Sequence, residues 1–311
     1  MRGIKMVLLV SLLVASLPLA ACQMITGDSQ IPLGDPTVAP PTITSPGVLR
    51  VGVDASHAPY AGRSANRIVG LDVDIAAAMA DALGLKLEII DITDADVTEL
   101  FVNQRVDIVM GYHPEPGTVS PYVLVGPYLS DGPAVFTKGL SLPAAGFDPE
   151  SLRGMKIAAQ TSSLSAWQVT ERYGNDAVQT YANLEEVFAA VDTGAISYAA
   201  ADVVVGAYMA SKCGGIISLG FLAEPTAVFI AVAPGNQEMT DAAVATLRTL
   251  RNNGVLETIV TKWLGPTASN LTLNSNAITE IGVSGSNSGT DLGNDLPDPS
   301  NSNPAPDPQN P

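Results

Sequence analysis

The sequence predicts an α/β protein folded in two lobes. Short apolar runs alternate with helical patterns through the centre of the chain, and a glycine turn feeds directly into an acid-headed helix at residues 70–83. The globular stretch, about 220 residues, exceeds the usual size of one compact domain.

Composition bounds the answer first. The chain has 311 residues, 46% of them hydrophobic and only 15% charged, which is enough apolar material to fill a core. Its 31 acids against 15 Lys and Arg give a net charge of −16 and leave no concentrated basic surface for phosphate contact, so nucleic acid is not a partner. An acidic surface suits solubility and also raises the local concentration of cationic ligands.

At the N-terminus, Arg2 and Lys5 precede an apolar stretch at residues 6–21, shorter than the ~20 residues a membrane-spanning helix needs. Residues 1–21 therefore read as a signal peptide. The stretch ends in Leu19-Ala20-Ala21-Cys22, the pattern read by the bacterial lipoprotein-processing machinery. Either Cys22 becomes a lipidated first residue, the reading adopted, or it is an incidental cysteine after an ordinary signal peptide. Several acyl chains on one cysteine, as a lipoprotein carries, hold a membrane stably where one would not. Residues 22–45, rich in Pro and Thr, read as a spacer lifting the domain off the membrane. With Cys22 lipidated, Cys213 has no disulfide partner and reads as a structural thiol in a loop after a helix.

Apolar runs at residues 49–53, 86–90, 107–110, 155–159, 198–201 and 228–232 suit buried parallel strands. In the 70–83 segment, Asp72 and Asp74 stand where carboxylates cap free N–H groups and complement the helix dipole. Ile75, Met79 and Leu83 then mark one buried face. Helices at 241–253 and 256–264 close the domain, divided by Asn252-Asn253-Gly254. Residues 266–311 turn to Asn, Ser, Gly, Asp and Pro and are expected to be disordered, with Ile278, Ile281 and Val283 as one apolar patch able to pack on the domain.

Gly47-Val48-Leu49-Arg50-Val51-Gly52-Val53-Asp54 reads as a strand ending in an acid at a loop. With the 70–83 segment it resembles the extracellular solute-binding proteins of family 3, which deliver mainly polar amino acids to ABC importers. Arg105-Val106-Asp107-Ile108-Val109, Leu152-Arg153-Gly154-Met155-Lys156-Ile157-Ala158-Ala159-Gln160 and Lys262-Trp263-Leu264-Gly265 match in order and spacing, so the resemblance covers nearly all of residues 47–265. It implies a two-lobed periplasmic-binding-protein-like fold with a ligand cleft between lobes joined by two hinge strands. Lobe 1 would comprise residues 46–131 and 226–265, lobe 2 residues 132–225, with crossings at 132–138 and 225–232. It further implies an extracytoplasmic, monomeric receptor that binds a small polar solute, needs no cofactor or metal, is not an enzyme, and works with an ABC permease in the membrane.

Carried over position by position, the resemblance breaks at one place. Relatives that bind amino acids hold the α-carboxylate with an arginine in a loop reading roughly Gly-Met-Thr-x-Thr-x-x-Arg. This chain has Gly111-Tyr112-His113-Pro114-Glu115-Pro116-Gly117-Thr118, and no arginine occurs between Arg105 and Arg153. A bidentate guanidinium is the natural clamp for a carboxylate, so its absence argues against an ordinary amino acid, and Glu115 would repel an anion.

The other half of the apparatus is retained. Asp202 aligns with the family acid that pairs with a ligand ammonium, although an N-cap of the following helix is an equal reading of the residue alone. Asp54 aligns with a second site acid. Thr161, Ser162 and Ser163 fall in the second-lobe loop that donates hydrogen bonds at a helix start. Tyr60 and Tyr112, ahead of Trp167, are candidates to face a cation with their rings, whereas Trp263 reads as packing. His57 stands where relatives place an aromatic ring over the ligand. A metal site of His57 and His113 with Asp54 and Glu115 lacks tight ligand spacing and is not adopted.

The ligand-binding set is therefore Asp54, His57, Tyr60, Tyr112, Glu115, Ser163 and Asp202, for an amine-containing or cationic solute. Two alternatives stand: an interaction or sensor protein that has lost the ligand, and a dehydratase on the same fold using His113 and Glu115 as acid and base. The dehydratase would need cationic anchors for its dicarboxylate substrate, which the sequence does not supply.

Overall fold

A computed structural model describes residues 34–115, 117–139, 147–275, 278 and 280–284. The expected signal peptide, Cys22, the start of the spacer and most of the C-terminal tail lie outside the described residues. Among the described residues no helix is long and apolar enough to cross a membrane.

The first lobe is built on strands β1 (Val48–Val53), β4 (Lys86–Asp91), β5 (Ile108–Tyr112), β6 (Val123–Asp131), β12 (Thr226–Val232) and β13 (Gly282–Ser284), ordered β13-β6-β12-β5-β1-β4. The ribbon β2 (Gly62–Ser64) and β3 (Arg67–Val69) sits apart from it. The second lobe is built on β7 (Pro133–Lys138), β8 (Ile157–Gln160), β9 (Val178–Tyr181), β10 (Tyr198–Asp202) and β11 (Ile216–Phe221), ordered β11-β7-β10-β8-β9. One sheet thus takes its strands from before Gly132 and after Pro225, the other from between. In each, three strands at one end of the sheet run parallel: β4, β1 and β5 in the first sheet, β9, β8 and β10 in the second. Ligands of open α/β sheets bind beyond the carboxyl ends of such strands.

Helices α1 (Leu71–Ala82), α2 (Val97–Val102), α6 (Gln237–Asn252) and α7 (Val255–Leu273) belong with the first sheet by sequence, and α3 (Leu164–Tyr173), α4 (Leu184–Asp192) and α5 (Val203–Ser211) with the second. Ile75 and Met79 of α1 are fully buried and Leu83, just past its end, is nearly so, as the i, i+4, i+8 spacing predicts, and Leu71 joins them; each contributes roughly 2 kcal/mol of hydrophobic stabilisation.

Several expectations need correction. The run at 228–232 is a strand, but it lies antiparallel between β5 and β6, because the chain re-enters the first sheet from the opposite direction. The residues ahead of β1 are not free spacer from 34 onward: Ile43 is fully buried, Val38 nearly so, and buried Asp107 accepts hydrogen bonds from the Thr44 amide (2.9 Å), the Thr44 hydroxyl (3.1 Å) and the Arg50 amide (2.7 Å). Disorder does not begin at 266. Gly265 breaks the helical path (φ 75°, ψ 167°) and Pro266 follows it, yet α7 resumes to Leu273 and buries Ala268 and Thr272. Proline at the start of the resumed helix costs nothing, since the first N–H of a helix has no partner to lose. The Ser130 hydroxyl donates to the Thr272 carbonyl at 3.0 Å, tying this extension to β6 beside the crossing. Beyond it β13 pairs with β6, burying Ile281 while Val283 stays exposed.

Candidate functional site

The N-terminus of α1 is capped by backbone. The amide of Leu71 donates to the Pro59 carbonyl (2.9 Å) and that of Asp72 to the Tyr60 carbonyl (2.9 Å), and no side chain caps the helix. This corrects the capping role expected of Asp72 and Asp74, and it frees both carboxylates. Asp74 accepts from Lys262 Nζ (2.7 Å) and Trp263 Nε1 (2.8 Å), so Trp263 serves as a hydrogen-bonded strut. Asp72 turns inward. Its Oδ1 accepts from the Tyr128 hydroxyl at 2.8 Å, and that hydroxyl in turn accepts from the Gly111 amide at 3.0 Å.

At the carboxyl ends of β1 and β5 lies a cavity of about 160 Å³ lined by Asp54, His57, Tyr60, Asp72, Met110, Gly111 and His113. Its mouth is organised by Asp54, which accepts from the Ser56 amide (2.9 Å), the Ser56 hydroxyl (2.7 Å) and the Thr93 hydroxyl (2.9 Å). His57 Nδ1 stands 2.7 Å from Asp54 Oδ2, and because an ionised carboxylate only accepts, Nδ1 carries the proton of that bond. Burial works against the charge on Asp54, but the hydrogen bonds from Ser56, Thr93 and His57 outweigh it and hold the pKa well below the usual carboxylate range. Asp54 is therefore a fixed negative charge. His113 packs edge-on against Tyr60, ring centroids 5.9 Å apart, and desolvation together with nearby His57 pushes its pKa down.

The wall of the cavity reaches the crossing between lobes through Tyr60, whose hydroxyl donates to Asp131 Oδ2 at 2.7 Å. Asp131 Oδ1 accepts from the Gly132 amide (2.8 Å) and from the Val204 amide of α5 (3.2 Å), so one carboxylate touches the first-lobe loop, the hinge and the second lobe. Burial raises its pKa to about 6, the Tyr60 bond lowers it and the charge of Asp202 adds to the rise. In the second lobe Asp202 accepts from the Ser165 hydroxyl at 3.1 Å and makes no cap bond to α5, which removes the N-cap reading.

Of the sequence-predicted residues, Asp54, His57 and Tyr60 come together in the cavity, joined by His113. Ser163 does not point at it. It caps α3 by accepting from the Ala166 amide at 3.0 Å, beside Ser162, which holds a left-handed φ of 60°. Tyr112 is corrected as well: its ring packs perpendicular to Tyr122 at 5.4 Å, in a small apolar cluster with Phe101 and Val109, because a register shift against β12 at the left-handed Gly111 breaks the alternation that would have set it on the face of cavity-lining Met110. Glu115 is exposed and does not line the cavity, and its carbonyl accepts from the Thr118 hydroxyl at 2.8 Å. Cys213 is partly buried behind α5 with its thiol free and its pKa raised by burial. No group of three or more metal-ligating side chains occurs among the described residues.

Sequence reasoning missed Asp72, Tyr128 and Asp131 as site residues. Asp72 had a signal, since an acid two residues after a helix-starting glycine is read as a cap only if the amides lack other acceptors. Nothing in the sequence near Asp131 singled it out.

The family model for bacterial extracellular solute-binding proteins, family 3, matches residues 49–266. The chain belongs to that family. Among solved structures, this solute-binding protein is similar to an ancestral cationic amino acid solute-binding protein (24% identity, 70% of this chain and 96% of that one, TM-score 0.56). It is also similar to substrate-binding domain 2 of GlnP from Lactococcus lactis in its open conformation (20% identity, 72% and 97%, TM-score 0.59). A third is an ancestral cyclohexadienyl dehydratase (22% identity, 71% and 93%, TM-score 0.56). At these identities the likeness to solved structures shows the two-lobed fold. No curated protein matches the chain in sequence.

Proposed function

We propose that this solute-binding protein is the extracytoplasmic receptor of an ABC importer for a small amine-containing or cationic solute, held at the membrane through lipid on Cys22. The observation that carries the reading is the charge of the cavity: its lining includes the carboxylates of Asp54 and Asp72, and no lysine or arginine. A carboxylate ligand finds no guanidinium there, whereas a protonated amine finds a fixed negative charge at Asp54 and the ring of Tyr60 beside it. Asp202, across the hinge from Tyr60 through Asp131, supplies negative charge from the second lobe as the lobes close on a solute. The same lining disfavours a dehydratase acting on dicarboxylates.

Thermal unfolding of the chain from residue 23 onward, with and without L-lysine, L-arginine, 1,4-diaminobutane, L-glutamine and L-glutamate, tests the reading. At least one of the three cationic solutes is expected to stabilise the fold, by ~2.7 kcal/mol at a hundredfold excess over Kd, with glutamate inert. Asp54→Asn is expected to weaken that binding about tenfold or more, as loss of a charge-assisted contact does. Stabilisation by glutamate, or full binding in Asp54→Asn, overturns the reading. Uptake of the same solute by cells with and without the chain tests the importer role.

A further inference from the structure

We propose that Asp72 is a second anionic contact at the floor of the cavity, so that the cationic group of the solute reaches past Asp54 and displaces a proton from Asp72 on binding. This deepens the reading above and rests on it. Asp72 is only 2% exposed, yet it lines the cavity. Its Oδ1 is satisfied by Tyr128, while its Oδ2 takes no hydrogen bond among the described residues.

Gly111 explains why that oxygen is open to the cavity. A Cβ built on Gly111 would stand 2.9 Å from Asp72 Oδ2, and the backbone there is left-handed at φ 69°, a conformation side chains resist. Glycine at this position is thus what uncovers the carboxylate. The oxygen so uncovered is open to the cavity, where a donor brought by a ligand reaches it.

Other polar groups face Asp72 or share its cavity. Tyr128 comes from β6, Tyr60 from the loop after β1, Asp54 and His57 from the same loop, and His113 from the loop after β5, with Asp131 behind Tyr60. None is a lysine or arginine, and burial raises Asp72 to about 7, with the Tyr128 bond the opposing influence. Near neutral pH the empty site therefore holds a proton on a fraction of molecules. Binding converts the carboxylic acid and the ligand ammonium into a carboxylate–ammonium pair, and the carboxyl proton passes to solvent.

The test is titration calorimetry with 1,4-diaminobutane and L-lysine at pH 5.5, 7 and 8.5, each in two buffers of different ionisation enthalpy, which counts protons released. Wild type is expected to release a proton at pH 5.5, to release almost none at pH 8.5, and to lose affinity by about tenfold for each pH unit below the carboxyl pKa. Asp72→Asn is expected to bind about tenfold or more weakly and to release nothing from this group. His57→Gln and His113→Gln, which remove the imidazoles facing the same cavity and are expected to shift affinity, keep the number of protons released per ligand bound. Tyr128→Phe, which keeps the carboxyl but removes its one donor, moves the release to higher pH. If Asp72→Asn binds and releases protons like wild type while Asp54→Asn loses binding, the cleft reading stands and this inference falls. Release that vanishes in the histidine variants alone also overturns it, and wild type that binds neither probe overturns both.

Discussion

Asp72→Asn is expected to make the ligand-free protein more stable than wild type at pH 8 and to leave its stability at pH 4 nearly unchanged. Burial raises the carboxyl of Asp72 from 3.8 to about 7 in the folded protein. Below the lower value both folded and unfolded chains hold the proton. Between the two, the folded chain keeps a proton that the unfolded chain has already released, so stability falls as pH rises through this window. Above it the folded state carries a buried charge at a cost of roughly 4 kcal/mol, which a neutral asparagine of the same shape avoids. A gain of roughly 2–4 kcal/mol at pH 8, several degrees in Tm for a domain of this size, is the expected result. Asp131, raised to about 6 by burial, acts in the same direction and leaves the variant a residual slope. Asp54 acts oppositely, because its lowered pKa gives stability that is present above the ordinary carboxylate range and lost on acidification. Urea midpoints for both proteins at pH 4, 6 and 8 check this, and a variant no more stable than wild type at pH 8 refutes the strain assigned to Asp72. Paired with weaker amine binding, the gain would mark Asp72 as a residue that stabilises the complex at the expense of the empty fold.

The fold was legible in the sequence where local pattern and tertiary environment agree. The interior strands β1, β5, β8 and β10 are largely buried and announce themselves as apolar runs, and the half-buried edge strand β4 is betrayed by Leu87, Ile89 and Ile90. Strand β9, with Gln179 and Thr180 exposed at a sheet edge, carries no such run, and β6 is interrupted by Gly126-Pro127, a pair that reads as a turn. The tail was misjudged at 266 because composition averages over a window, whereas Leu264, Ala268 and Thr272 alone keep a four-residue repeat on the buried side of α7. At the candidate site, Asp54 and His57, which line the cavity, were singled out through the resemblance, which fixes position along a strand end. Tyr112 was not correctly placed, since the register shift at Gly111, which no local pattern shows, reverses the face expected from Met110. Asp131 was invisible because its role depends on three partners distant in sequence or supplied by backbone: the Tyr60 hydroxyl and the amides of Gly132 and Val204.

Gly70→Ala is expected to be the most damaging small substitution in the first lobe. A Cβ on Gly70 would lie 2.1 Å from the Tyr60 carbonyl oxygen and 2.7 Å from Ala61 Cα. Both obstacles are backbone, so no side-chain rotation relieves them. The Tyr60 carbonyl is also the acceptor that caps the Asp72 amide, and the Pro59 carbonyl beside it caps Leu71. Moving the 59–61 segment away to admit a methyl group therefore strips the start of α1 of both caps, at about 1 kcal/mol each, and disturbs Leu71, which is fully buried. It also shifts Tyr60, whose hydroxyl holds the hinge acid Asp131 and whose ring walls the cavity. The combined loss is expected to reach ~4 kcal/mol or more, enough to unfold many domains of ordinary stability. Gly214→Ala is the control, because nothing lies within 4 Å of a Cβ built there, and it is expected to stay within ~0.5 kcal/mol of wild type. Circular dichroism melts of the two variants separate the cases. An unchanged melt for Gly70→Ala would mean that the loop and α1 slide freely past each other, and then Tyr60 could not transmit the position of the first-lobe wall to the hinge.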